Sequence, residues 1–139
     1  MGTIIRAEIS TSNRYWVEKH RYYELKHFCF QYPEWKREYA SADRISAGVS
    51  HISERVTGGP VADPTVMLAE RRLYYRERIE MVESVAREAA GELAPYLLKG
   101  VTEAITFEKL NARERIPCSR DTWYRLYRRF FWLLDRVRK

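Results

Sequence analysis

Cysteine is scarce in this 139-residue chain: Cys29 and Cys118 are the only two, too few for a disulfide framework or a four-ligand zinc site. Glycine (6) and proline (5) are also few, which argues against a loop-rich all-β fold and against a low-complexity linker. No apolar run approaches the roughly 18 residues that span a bilayer. Met1 to Ser12 (MGTIIRAEISTS) has neither the apolar stretch nor the cleavage site of a signal peptide. A reducing, cytoplasmic setting without membrane attachment is the expectation. Aromatic side chains are what the sequence has in abundance: 10 Tyr, 4 Trp and 5 Phe, within an apolar content of 45%. That much apolar surface builds a core and argues against wholesale disorder. The length suits one domain, or a domain with a helical arm.

The net charge of +6 is unevenly placed. Residues 1–98 carry fourteen basic and fourteen acidic side chains, whereas residues 99–139 carry eleven basic against five acidic. A neutral body with a basic end is the electrostatic footprint of a polyanion binder, and equally that of a solvated basic helix.

The pattern is helical throughout, so the fold class expected is all-α. Residues 1–11 read as a frayed or short extended segment. A helix opens near Ser12 or Asn13, both good caps, and places Tyr15, Tyr22, Leu25 and Cys29 on one face. Pro33 breaks or kinks it, or starts a short helix from Glu34 to Tyr39. Residues 40–62, with a Gly58-Gly59-Pro60 breaker, read as a mobile connection with one helical turn around Ser50 to Arg55. Asp63-Pro64 then opens a helix of roughly 26 residues, near 40 Å long. Leu68, Tyr75, Val82 and Ala89 recur every seven along it, with Ile79 and Ala86 between. This seam is a bundle spine or dimer surface, or packs entirely within the chain. Short helices follow at Glu92–Lys99, with Pro95 in the first turn and Gly100 as C-cap, and at Thr102–Ala112. The division expected is therefore 1–62, aromatic helices and connection, and 63–139, a long helix with the basic C-terminal region.

The clearest pattern is the last. After a turn at Arg113–Cys118, Ser119 caps a helix reaching about Val137. Trp123, Leu126, Tyr127, Phe130, Leu133, Leu134 and Val137 form one core-facing stripe. The opposite face carries Asp121, Arg125, Arg128, Trp132 and Lys139, with Arg120, Tyr124 and Arg129 on its flanks. With the helix before it, this element makes a helix-turn-helix whose second helix suits the major groove. The DNA-contact candidates are Ser119, Arg120, Asp121, Thr122, Tyr124, Arg125, Arg128 and Arg129, with Lys109, Arg113 and Arg115 near the turn for phosphates. Arginine forks onto guanine, hydroxyls take phosphates, and a helix N-terminus adds its dipole. The competing reading is a basic amphipathic helix on a membrane or partner protein.

The run from Ile116 to Leu134 (IPCSRDTWYRLYRRFFWLL) resembles the C-terminal signature of RinA/ArpU-type phage transcriptional regulators. In those, Ser-x-x-Thr-aromatic-Tyr-Arg opens the recognition helix of a helix-turn-helix similar to region 4 of sigma factors. Ser119, Thr122, Trp123, Tyr124 and Arg125 match that motif. The resemblance covers roughly residues 92–136, and Tyr32 to Lys36 (YPEWK) is similar to small phage or prophage proteins. It implies a DNA-binding activator of phage late or packaging genes, working with host RNA polymerase in the bacterial cytoplasm. Arg113–Pro117 departs from repressor-type motifs in lacking the Gly-centred turn. Two rivals remain: a small-terminase-like packaging protein, and a host-factor binder that makes no use of DNA. Oligomerisation is expected, a dimer foremost.

No enzymatic constellation emerges, and no cofactor is expected. His20, His27 and Cys29 match no common zinc spacing, and His51 has no partner set. Gly58-Gly59-Pro60 lacks the Lys and Ser/Thr of a phosphate loop. Glu70, Glu77, Glu80 and Glu83 interleave with arginines as on a solvated helix face. Cys118 lies where a helix N-terminus lowers a thiol pKa, or serves as a small packing residue. Phe131 is expected to be covered by the N-terminal aromatic helix, and Trp132 to mark a dimer or polymerase interface.

Overall fold

The computed structural model describes residues 13–52 and 64–139. These form six α-helices: α1 Lys19–Phe30, α2 Tyr32–Ile52, α3 Pro64–Ala90, α4 Ala94–Glu103, α5 Phe107–Glu114 and α6 Arg120–Val137. A 3₁₀ turn, Gly91–Leu93, joins α3 to α4. There is no strand among the described residues, so the chain is all-α. No described helix is long and apolar enough to cross a membrane. The expected segment 1–11, the caps at Ser12 and Asp63, the Gly58-Gly59-Pro60 breaker and the His51 side chain lie outside the described residues.

Several helix ends differ from those read in the sequence, each for a physical reason. Asn13 does cap, but it caps a turn: its Oδ1 accepts the Tyr15 N–H at 2.8 Å and its carbonyl that of Trp16 at 3.1 Å. The helix proper waits until Lys19, with the Glu18 carboxylate accepting the His20 N–H. Pro33 sits in the first turn of α2, where its missing N–H costs nothing. The helix is then not the short Glu34–Tyr39 piece but runs on to Ile52. The first half of the expected connection at 40–62 is thus helical. Gly100 does not terminate a helix; it lies inside α4, which ends at Ala104 in the left-handed region (φ 56°). In place of a helix at Thr102–Ala112, Thr106 caps α5 by accepting the Lys109 N–H.

The chain divides by packing into two compact units, one holding described residues 13–32 and 81–139 and the other 33–52 and 64–80. In the second unit, Trp35 and Ala42 of α2 are buried. Arg71 pairs with Glu38 at 3.3 Å, and Arg72 with Asp43 at 2.7 Å. Leu68 and Tyr75 of the heptad seam are half-buried here, while Val66, Met67, Leu73 and Tyr74 are exposed.

In the first unit the seam's other half, Val82, Ala86 and Ala89, is buried. Leu25 and Cys29 of α1, Leu97 and Val101 of α4, Leu110 of α5 and Phe130, Phe131 and Leu134 of α6 are sealed from solvent. Helices α1, α4 and α6 all touch one another. Arg21 ties α1 to the far end of α6: its Nε donates to Asp135 at 2.6 Å, and its Nη2 to the Arg138 carbonyl. Burial and an apolar setting push the Cys29 thiol pKa well above its usual value.

Glycine at 100 is demanded by contact. A Cβ there would lie 2.6 Å from Cζ2 of Trp123, an indole with no solvent exposure. In a free helix Gly→Ala gains about 1 kcal/mol, but overpacking a filled core costs about 1–3 kcal/mol. Gly100→Ala should therefore lower the denaturant midpoint of unfolding. A raised midpoint would mean that the indole yields without cost.

Candidate nucleic-acid interface

The geometry of α6 follows from its composition. Ser119 caps it as expected: its Oγ accepts the Thr122 N–H at 3.1 Å and donates to the Thr122 hydroxyl at 3.0 Å. Trp123, Tyr124, Leu126, Tyr127, Phe130, Phe131, Leu133 and Leu134 are buried. At roughly 100° per residue they cover about half the circumference. Val137, assigned to the same stripe, is 47% exposed because the helix ends there and the chain turns extended.

The other half is cationic. Asp121, Arg125 and Arg136 are exposed, and Arg128, Arg129, Trp132 and Asp135 half-buried. Among the described residues, Arg125, Arg128, Arg129 and Arg136 have no carboxylate partner within 4 Å. The Nε atoms of Arg128 and Arg129 are buried and unbonded, so their stems lie against the protein while their charged ends serve no internal acid. Lys109, Arg113 and Arg115 are exposed and equally unpaired. Lys109 and Arg113 lie one turn apart on α5. Arg115 closes that helix in the left-handed region (φ 51°), donating its N–H to the Asn111 carbonyl.

Four candidates stand differently from the rest. Tyr124, placed on a flank by helical period, is only 9% exposed, since the Phe107 ring of α5 packs 6.4 Å from it. Burial, with the Glu108 charge nearby, raises its phenol pKa. Arg120 is exposed but committed, bonding Glu108 at 2.7 Å with its guanidinium over the Tyr124 ring. Ser119 and Thr122 spend their hydroxyls on each other and on the cap.

Arg136, not among the candidates read from the sequence, lies three turns beyond Arg125 on the same face and is exposed. Arg14 is a further exposed cation, lying over the Tyr15 ring. Its proximity to α6 depends on a long-range packing of Tyr15 against Trp132, for which local periodicity has no signal. Phe131 is fully buried, with the Tyr22 ring of α1 at 5.1 Å. Trp132 is half-buried, edge-on to Tyr15 at 5.6 Å. The Cys118 thiol pKa is raised by burial rather than lowered by the helix N-terminus, which fits a packing role. His20 and His27 are exposed while Cys29 is buried, so the three do not face one site.

Comparison of the chain with protein-family models, with curated proteins and with solved structures finds no match in any of the three.

Because the Ser119 hydroxyl is engaged in capping, Ser119→Ala should cost about 1 kcal/mol of stability. Ser119→Asp, an equally good cap, should restore it. Thermal unfolding of the two variants checks this, and equal midpoints would show that the cap carries no energy.

Proposed function

We propose that the chain is a sequence-specific, double-stranded DNA-binding protein of the phage or prophage gene-regulator kind. It acts in the bacterial cytoplasm on late or packaging genes, alongside host RNA polymerase. The observation that carries the reading is the row of unpaired arginines, Arg125, Arg128, Arg129 and Arg136, on the outer half of α6. A solvated basic helix ordinarily interleaves acids with its cations, as α3 does where Arg76 bonds Glu80 at 3.1 Å. On α6 the acids lie at the ends, and Asp135 is already taken by Arg21. Four like charges so displayed repel one another, and a polyanion relieves that repulsion while releasing its counterions.

The short capped α5, the turn and α6 supply the helix-turn-helix arrangement that presents such a helix to the major groove. The match of Ser119, Thr122, Trp123, Tyr124 and Arg125 to the RinA/ArpU-type motif points the same way. Trp123 and Tyr124 are then framework residues of the motif. Base and phosphate contact falls to Arg125, Arg128 and Arg129, with Lys109, Arg113 and Arg115 as phosphate contacts.

A second feature favours self-association. Val66, Met67, Leu73 and Tyr74 leave large apolar side chains exposed on α3, each about half accessible. A dimer is the expected state for a regulator, whereas a closed ring would favour the packaging reading. Solution mass separates these.

Arg125→Ala and Arg128→Ala should each weaken duplex binding and lower the slope of log K against log salt by about 0.9. Arg125 is exposed and unpaired, so its variant should unfold at the parent's midpoint. Electrophoretic shifts at two salt concentrations make the measurement. If both variants bind as the parent does, the assigned face is wrong; if the parent ignores both random and phage duplex at low salt, the function is wrong.

A further inference from the structure

The segment before α1 adds to the cationic surface of α6. Its capped turn at Asn13 buries Tyr15, which is 8% exposed, edge-on against Trp132 with the ring centroids 5.6 Å apart. Three guanidinium groups surround this ring pair. Arg14 lies over Tyr15 at 5.4 Å, Arg136 over Trp132 at 4.4 Å, and Arg129 reaches the Tyr15 hydroxyl, Nη1 to Oη, at 3.5 Å. No carboxylate lies within 4 Å of any of the three among the described residues. The neighbouring cations are treated otherwise: Arg21 bonds Asp135 and Glu24, and Arg138 lies 4.0 Å from Glu24.

Stacking on an aromatic face fixes a guanidinium plane while leaving its N–H fork free. Two such groups, Arg14 and Arg136, and the hydrogen-bonded Arg129 guanidinium repel one another around one ring pair, and no acid among the described residues offsets the cost. Free forks of this kind bind carboxylate or phosphate in bidentate fashion. Continuity decides between these: the cluster prolongs the row from Arg125 through Arg129 to Arg136, and a chain of evenly repeated anions matches a row where a single carboxylate does not.

We infer that Arg14, Arg129 and Arg136, held by Tyr15 and Trp132, form a second phosphate-binding site that takes backbone phosphates of the DNA strand lying along α6. The contact surface then runs the length of the helix instead of its N-terminal half, and the segment before α1 is part of it. This rests on the duplex-binding function proposed above.

The test is the salt dependence of binding to a fluorescent duplex between about 50 and 200 mM. It compares the parent, R125Q, R14Q/R136Q and R14K/R136K. Both residues of the double variant are exposed and free of ion pairs, and circular dichroism confirms that it folds. Losing two phosphate contacts should lower the slope by about 1.8, against about 0.9 for R125Q. The lysine pair keeps the point charges and should restore most of the slope. If R125Q lowers the slope and R14Q/R136Q does not, the second site is refuted while duplex binding stands. An acidic protein surface then becomes the occupant of the cluster. If the parent binds no duplex, both readings fall together.

Discussion

The contact of Trp123 with Gly100 is the constraint from which the rest of the helix-turn-helix region follows. An indole laid on a backbone without a Cβ lets α6 approach α4 more closely than any larger residue allows. The same ring meets Phe107 of α5 at 5.7 Å, so one side chain sets the spacing of three helices. The contact comes at a cost: the Trp123 Nε1–H is buried and finds no acceptor among the described residues. An unsatisfied donor of this kind is worth about 1–3 kcal/mol, offset here by the apolar area that the ring removes from water.

With that contact made, the rotation of α6 about its axis is set, and so is what it shows. Behind the helix, rings interlock: Phe131 meets Tyr22 at 5.1 Å, Tyr127 at 5.2 Å and Phe130 at 5.0 Å. Burial so complete pushes the Tyr127 phenol pKa upward. A core this densely aromatic holds the helix rigidly, and the outer arginines inherit that rigidity at their Cα positions. Preorganised display of charge lowers the entropy cost of binding compared with the same residues on a loose tail.

What was legible in the sequence was what local chemistry decides. The seven-residue seam gave α3, and the Ser119 cap with an uninterrupted apolar stripe gave α6, both close to their observed ends. What was not legible was decided at a distance. Gly100 carries the local mark of a helix terminus, but a tryptophan twenty-three residues later claims it. Tyr124 sits on the boundary of the stripe by period alone, and Phe107 from another helix covers it. The length of α2 was underestimated because Ser and Ala between residues 40 and 52 permit a helix without announcing one. Of the proposed interface, Arg125 and Arg128 follow from helical period. The commitment of Arg120 to Glu108, and the position of Arg14, exist only once the elements have packed.

The bond from Arg21 to Asp135 and to the Arg138 carbonyl joins residues 114 and 117 positions apart. Helix α1, the first described helix to be synthesised, therefore has a partner in α6, made after every other described helix. Until then Tyr22, Leu25 and Cys29 have α4 but not α6 to bury them. Assembly of this unit thus waits for α6, and a chain halted before it would leave the side of α1 that meets Phe131, with Tyr22, open to the cell's quality-control machinery.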